Sequence, residues 1–224
     1  MAVASLHPIH FRLYSTTRVC VLGVAFALLA TCTESNDPQT PPHSTAATTN
    51  SLSARIQTDR GDIVVDLETK LTPVLSANFA NLVERRFFDG LIFYRSSPVM
   101  RQAGNPYNTE ARNYNPGYRL LPELAPELTF KKGGVLAMLL WSNDNLADLR
   151  QTEFFVTVKP QDRWTFKYSI FGSVREGADV VLALQDGDII RSIRLEGDPA
   201  TLFEANAENI KAWNASLDEN PPDR

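Results

Sequence analysis

Phe88-Asp89-Gly90-Leu91-Ile92-Phe93-Tyr94-Arg95, followed after two residues by Pro98-Val99-Met100-Arg101-Gln102-Ala103-Gly104-Asn105-Pro106, is the stretch that decides how this chain reads. An arginine ends an apolar, aromatic run, and a glutamine follows seven positions later. Between them lies the short apolar segment Pro98-Val99-Met100. Burying an unpaired charge is costly, so a guanidinium at the end of such a run needs a reason. A site that reads neutral, planar amide groups supplies one.

Outward from that stretch, the pattern is mainly β. Ile56 and Thr58 precede the polar Asp59-Arg60-Gly61-Asp62, and Ile63, Val65 and Leu67 follow. Alternation with period two on both sides of a Gly-containing turn predicts a hairpin. Thr72-Pro73 is an N-cap with proline at the first helical position. Leu75, Phe79, Leu82 and Val83 then keep helical spacing, which predicts an amphipathic helix over 73–86. Further strands are expected from Leu91 to Arg95, Gly134 to Trp141, Phe154 to Val158, Ser169 to Val174 and Ile189 to Leu195. A long polar loop covers residues 104–130, and Ala178 to Leu184 reads as a short helix. Many short strands with two helices predict a closed antiparallel barrel. A doubly wound sheet is excluded, because helices do not alternate with strands. From Pro199 to Leu217, the residues Leu202, Phe203, Ile210, Trp213 and Leu217 recur at helical spacing. They predict a C-terminal amphipathic helix docked on the barrel, with a partner-binding helix as the rival reading.

Composition removes several kinds of chemistry. The three histidines are His7, His10 and His43, and the two cysteines are Cys20 and Cys32. The rest of the chain therefore has no Ser-His-Asp triad, cysteine nucleophile, Cys/His zinc site or internal disulfide. Its chemistry must come from carboxylates, amides, hydroxyls, Lys or Arg. Asp59-Asp62 and Asp186-Asp188 sit in turns, where aspartate is favoured for local hydrogen bonding. The formal charge of -4 argues against nucleic acid as a partner, since phosphate neutralisation needs clustered Lys and Arg.

The N-terminus has the layout of an export signal. Arg12 and Arg18 precede an apolar run from Val19 to Ala30, which is short for a membrane span. Leu29-Ala30-Thr31-Cys32 is similar to the bacterial lipobox, which implies lipidation of Cys32, although Thr31 is larger than the residue usual there; an ordinary cleaved signal and an uncleaved anchor are the rival readings. Residues 33–52 are rich in Thr, Ser, Pro and Asn, too polar to bury surface against their chain entropy. The expected organisation is an export signal over 1–32, a flexible tether over 33–52, the folded domain over 53–198 and the C-terminal helix and tail over 199–224. The expected location is the periplasmic side of the cell envelope, on a lipid anchor in a membrane.

The motifs of the body, taken in order, resemble the cyclophilin-type peptidyl-prolyl cis-trans isomerases. They are the hairpin, the Thr-Pro-initiated helix with Asn78-Phe79, Phe88-Asp89-Gly90, Phe93-Tyr94-Arg95, Gln102-Ala103-Gly104-Asn105, Gly134 to Met138, Phe154-Phe155, Trp164, and Tyr168-Ser169-Ile170-Phe171-Gly172. The likeness covers about residues 53–197. It implies an eight-stranded antiparallel barrel closed by two helices and acceleration of X-Pro bond rotation. By position, Arg95 matches the family's catalytic arginine and Gln102 the glutamine that holds substrate backbone. Val99, Met100, Phe155 and Tyr168 match the lining of the proline pocket, Trp164 its edge, and Leu139 and Leu140 the substrate-side groove. The partners implied are proline-containing segments of unfolded or exported proteins, met by a monomer without cofactor or metal.

This chain also departs from the family pattern. The segment between Arg95 and Met100 is one residue short, and Val99 stands where phenylalanine is typical. Leu139-Leu140 replaces Ala-Asn, Glu153 stands where Gln is usual, and Thr165 follows Trp164 where an apolar residue is common. The segment from Trp141 to Thr152 is expected to be a long loop. Glu153, Asp89 or another carboxylate is a candidate ion-pair partner for Arg95. These changes leave open a second function, a catalytically weak or inactive module that grips proline-containing peptides. A third reading is a carbohydrate- or cell-wall-binding barrel.

Overall fold

The computed structural model describes residues 51–142 and 145–223, without the side chains of 142–147. The expected export signal, Cys32 and the tether as far as residue 50 lie outside the described residues.

Two strands open the domain, β1 (Ser53–Thr58) and β2 (Gly61–Leu67). They form the expected hairpin, with Ile56 opposite Ile63. The Thr58 hydroxyl donates to the Gly61 carbonyl at 2.8 Å and accepts from the Arg60 N–H at 3.0 Å, which closes the turn. Helix α1 (Pro73–Glu84) follows, with Leu75, Phe79, Leu82 and Val83 all buried. Its first turn is capped from a distance. The Thr72 hydroxyl donates back to the Glu68 carbonyl, and the Glu123 carboxylate instead accepts from the backbone N–H groups of Val74 (3.3 Å) and Leu75 (2.9 Å). That contact ties the long polar loop to the helix by satisfying two orphan donors.

The remaining strands are β3 (Arg95–Ser96), β4 (Met100–Ala103), β5 (Val135–Ser142), β6 (Asn145–Thr157), β7 (Ile170–Glu176) and β8 (Ile190–Glu196), with α2 (Ala178–Ala183) between the last two. All eight strands form one antiparallel sheet in the order β3-β4-β6-β5-β7-β2-β1-β8. The sheet curls into a half-barrel and stays open between β3 and β8, contrary to the closed barrel expected. Instead of the predicted strand from Leu91 to Arg95, only Arg95 and Ser96 belong to β3. The stretch before it faces the Asp186-Gly187-Asp188 turn, which offers no extended partner. A single bridge, Ile92 to Ile189, spans the seam, helped by hydrogen bonds such as Ile190 N–H to Leu91 C=O at 2.7 Å.

The expected loop from Trp141 to Thr152 is largely paired strand. Met138 faces Phe154, and the next pairing is Leu140 with Leu149. Burial of Leu140 and Leu149 extends the ladder past Trp141. Residues 150–153 therefore bulge out of β6. Gly104 makes room for that bulge. Its φ is +98°, and a Cβ there would lie 2.1 Å from the Thr152 carbonyl oxygen.

Neighbours on a strand point to opposite faces. Phe154 accordingly enters the main core with Phe79, Phe88 and Phe171, while Phe155 enters a second cluster with Met100, Phe130, Val135, Ala137 and Ile170. The C-terminal segment makes two helices rather than one, α3 (Ala200–Ala205) and α4 (Ala207–Glu219). The break falls at Asn206, whose side-chain amide donates to the Leu202 carbonyl at 2.9 Å. Trp213 and Leu217 are buried, Asn214 accepts from Asn81 of α1 at 3.0 Å, and Tyr118 packs on the Trp213 ring. The apolar face of α4 is thus docked on the domain.

Candidate active site

Strand register places the key side chains in one row. Arg95 pairs with Gln102 across β3 and β4, Gln102 pairs with Phe155 across β4 and β6, and Phe155 pairs with Ala137 across β6 and β5. Directly paired residues share a face of the sheet. A guanidinium, an amide and an aromatic ring therefore line up over the second apolar cluster.

Above that row lies a cleft of about 240 Å³. Phe155 forms its floor, completely buried, with the Tyr168 ring at 5.2 Å and the Trp164 ring at 5.6 Å, both edge-on. Such edge-to-face contacts are worth about 0.5–1.5 kcal/mol each beyond burial, enough to fix an apolar cup. Of the residues singled out in the sequence, Arg95, Met100, Gln102, Leu139, Leu140, Phe155, Trp164 and Tyr168 all line the cleft. Val99 does not. It lies in the tight connection from β3 to β4, where Ser97 N–H donates to the Met100 carbonyl at 3.0 Å, and it packs against the second cluster from outside the cleft. The shortened segment before Met100 leaves no slack to swing it inward.

Sequence reasoning missed Glu110, Trp141 and Arg150, which also line the cleft. Glu110 comes from the long polar loop, where nothing in the pattern marks it. Its carboxylate lies 3.3 Å from the Arg95 guanidinium, with both side chains about half exposed at 55% and 45%. An ion pair that exposed is worth roughly 0–1 kcal/mol, so it orients Arg95 without locking it. The two partners considered for Arg95 are engaged elsewhere. Asp89 pairs with Arg194 at 2.7 Å, and Glu153 pairs with Arg150 at 3.1 Å.

Beneath the cleft, Glu153 is 1% exposed and anchors a polar chain. Arg150 reaches both its oxygens, at 3.1 and 3.3 Å. The Tyr94 hydroxyl donates to Glu153 Oε2, and the Gln102 amide N–H donates to the Tyr94 oxygen. Asn105 Nδ2 lies 3.5 Å from Glu153 Oε1. Burial pushes the Glu153 carboxyl above its ordinary range, against the opposing pull of Tyr94 and Arg150. Burial likewise raises the Tyr94 phenol, and the adjacent Glu153 charge raises it further. Tyr168 is raised by burial as well. The sequence signal for this chain was available, since Tyr94 adjoins Arg95 and Glu153 adjoins the paired phenylalanines. Its connectivity was not, because the bulge that swings Arg150 onto Glu153 depends on strand register. Among the described residues, no group of three or more His, Cys, Asp or Glu side chains is placed to hold a metal ion.

Comparison with known proteins agrees with this architecture. Residues 53–201 match the family model described as cyclophilin type peptidyl-prolyl cis-trans isomerase/CLD. Peptidyl-prolyl cis-trans isomerase B of Bacillus subtilis is 29% identical over 140 residues, spanning 62% of this chain and 94% of that protein. Peptidyl-prolyl cis-trans isomerase-like 1 of Homo sapiens is 35% identical over 130 residues, spanning 56% of this chain and 75% of that protein. The crystal structure of a cyclophilin type peptidyl-prolyl cis-trans isomerase from Cryptosporidium parvum shares the fold, with a TM-score of 0.61 and 23% identity over 66% of this chain and 99% of that one. A mainly antiparallel half-barrel, an arginine-edged aromatic cleft and the family match lead to one conclusion: the chain belongs to the cyclophilin-type peptidyl-prolyl cis-trans isomerases, and it is an enzyme of that class.

Proposed function

We propose that this cleft accelerates rotation about X-Pro bonds in unfolded or newly exported proteins, with Arg95 as the catalytic donor. The barrier to that rotation is roughly 18–20 kcal/mol for peptide bonds, because nitrogen shares its lone pair with the carbonyl. At 90° the sharing is lost and the nitrogen becomes pyramidal and basic. A donor aimed there binds the twisted state better than the planar one, which is the condition for catalysis. The forked guanidinium of Arg95 suits the task, since one N–H can reach the imide nitrogen while another holds the neighbouring carbonyl. Phe155, Trp164, Tyr168 and Met100 form the apolar cup for the proline ring. Gln102 grips the peptide backbone, and Leu139 and Leu140 form the groove beside it. No bond breaks, so no nucleophile, metal or cofactor is required.

The observation that carries this reading is the register row that sets Arg95 and the buried Phe155 ring on one face of the sheet, with Gln102 of β4 between them. Uncatalysed X-Pro isomerisation takes tens to hundreds of seconds and limits folding where chains emerge unfolded. We further propose that residues 1–32 export the chain, that Cys32 carries a lipid anchor, and that residues 33–52 tether a monomeric domain on the periplasmic side of the membrane. The test of activity is a protease-coupled assay of the full chain on a short X-Pro peptide. Catalysis is expected; none at micromolar enzyme would overturn the reading. A second reading, a proline-peptide-binding module with little turnover, is favoured by Glu110 beside Arg95. It predicts tight peptide binding without rate enhancement in the same assay.

A further inference from the structure

Gln102 is 2% exposed, yet its Oε1 has no hydrogen-bond partner, whereas its Nε2 donates to Tyr94. A buried acceptor left unpaired is destabilising, so its persistence at the wall of a cleft needs a cause.

The cause lies in the direction of the chain below it. Glu153 receives donors on both oxygens, from Arg150 and Tyr94. An ionised carboxylate only accepts, so the Tyr94 proton is committed to Glu153. The Tyr94 oxygen is then left to accept, and it takes the Gln102 N–H. Reversing the Gln102 amide would set its carbonyl oxygen against a phenol oxygen with no proton left to give. Asn105 cannot rescue the reversed arrangement, because its Nδ2 donates to the carbonyls of Thr109 and Arg112 and its Oδ1 accepts from Tyr107 N–H. A neutral glutamine at position 153 would impose no such direction, since an amide both donates and accepts. Tyr94 could then accept from residue 153 and donate to Gln102, with the Gln102 amide turned over.

We propose that Glu153 and Tyr94 are positioning residues that fix the polarity of the Gln102 amide, so that its carbonyl, covered in the free protein, is held in the cleft wall as the acceptor for a backbone N–H of the bound peptide. The inference rests on the isomerase reading of the cleft and adds to it the group that Gln102 recognises. Proline itself has no N–H. The N–H groups nearest an X-Pro bond belong to X and to the residue after proline, and one of these two is the ligand of Gln102 Oε1.

The experiment uses the full chain and three prolyl peptides at a pH above the raised titration of Glu153. One peptide is the parent. In the second an ester replaces the amide whose N–H belongs to X, and in the third an ester replaces the amide after proline. For wild type, one ester should raise KM about tenfold with little change in kcat, the size of one lost hydrogen bond, while the other ester should be nearly neutral. In Glu153→Gln and Tyr94→Phe that discrimination should fall below about threefold. A purely structural role for Glu153 would lower activity on all three peptides in proportion and leave the ratio intact. Wild type that treats all three peptides alike, or a variant that keeps the full discrimination, overturns the proposal while leaving the isomerase reading in place. Absence of catalysis by wild type on the parent peptide overturns both.

Discussion

Arg95 and Gln102 stand directly opposite each other across the two-residue strand β3 and its partner β4. Their spacing of seven positions in sequence becomes adjacency on one face of the sheet because a tight connection through Ser97 and Val99 returns the chain. The charge is therefore set beside the amide by backbone register, independently of any partner for the guanidinium. Replacing Arg95 by Lys keeps the charge but not the fork. Arg95→Lys should lose at least about tenfold in kcat/KM and leave the thermal midpoint within about 2 °C, because surface substitutions stay near ±0.5 kcal/mol. Paired activity and melting measurements on the same preparation check both halves of that expectation.

Glu110 shares the mouth of the cleft with Arg95 through an exposed pair. If the pair is worth up to about 1 kcal/mol, as such pairs are, its removal shifts the availability of Arg95 by no more than about fivefold. Glu110→Gln should therefore change kcat/KM within that range, and moderate salt should mimic it in wild type. A gain of a hundredfold would show instead that Glu110 holds the site closed.

Glu153 makes the stability of the domain depend on pH in an uncommon direction. Burial raises its folded-state pKa above the ordinary 4.5. Below that ordinary value both states are protonated and its contribution is fully present. As pH rises from there towards the raised value, the unfolded chain releases the proton and the folded chain keeps it, so stability falls. Urea unfolding of wild type and Glu153→Gln, with pH raised stepwise from the ordinary carboxylate range, should show the wild type losing ground relative to the variant until the folded chain also releases the proton. A difference independent of pH would mean that Glu153 titrates normally.

Gly104 is the position where backbone meets backbone under the site. Alanine there combines a left-handed φ, costing about 1–2 kcal/mol, with overpacking of about 1–3 kcal/mol against the Thr152 carbonyl. Gly104→Ala should thus destabilise by about 3 kcal/mol or more in urea unfolding. It should also weaken activity, because the same bulge carries Arg150 and Glu153. A neutral Gly104→Ala would show that the bulge is free to move away.

Helices α1 and α2 and most strands were legible because their apolar residues follow a single period, whereas the break at Asn206 that splits the C-terminal helix was not. Leu75, Phe79, Leu82 and Val83 mark α1, and Ile56, Ile63 and Val65 mark the first hairpin. The row of site residues was legible through the order of its motifs, with Phe155 separable from Phe154 by strand alternation alone. Three further features were not legible, and each depends on contacts distant in sequence. The seam between β3 and β8 stays open because the Asp186-Gly187-Asp188 turn is the local partner of Leu91 to Phe93, which no local pattern announces. The arm past Trp141 is strand because Leu140 and Leu149 are buried against the same core. Glu110 and Arg150 reach the cleft from a polar loop and a bulge, where neither period applies.

The most direct measurement is cis–trans exchange of a short X-Pro peptide, followed by NMR with the full chain as wild type and as Arg95→Ala. Loss of one preorganised donor to a reacting atom is worth about 3–4 kcal/mol. Wild type should speed the exchange, and Arg95→Ala should fall short of it by about a hundredfold or more while remaining folded. Equal exchange rates with the two proteins would contradict a catalytic role for Arg95.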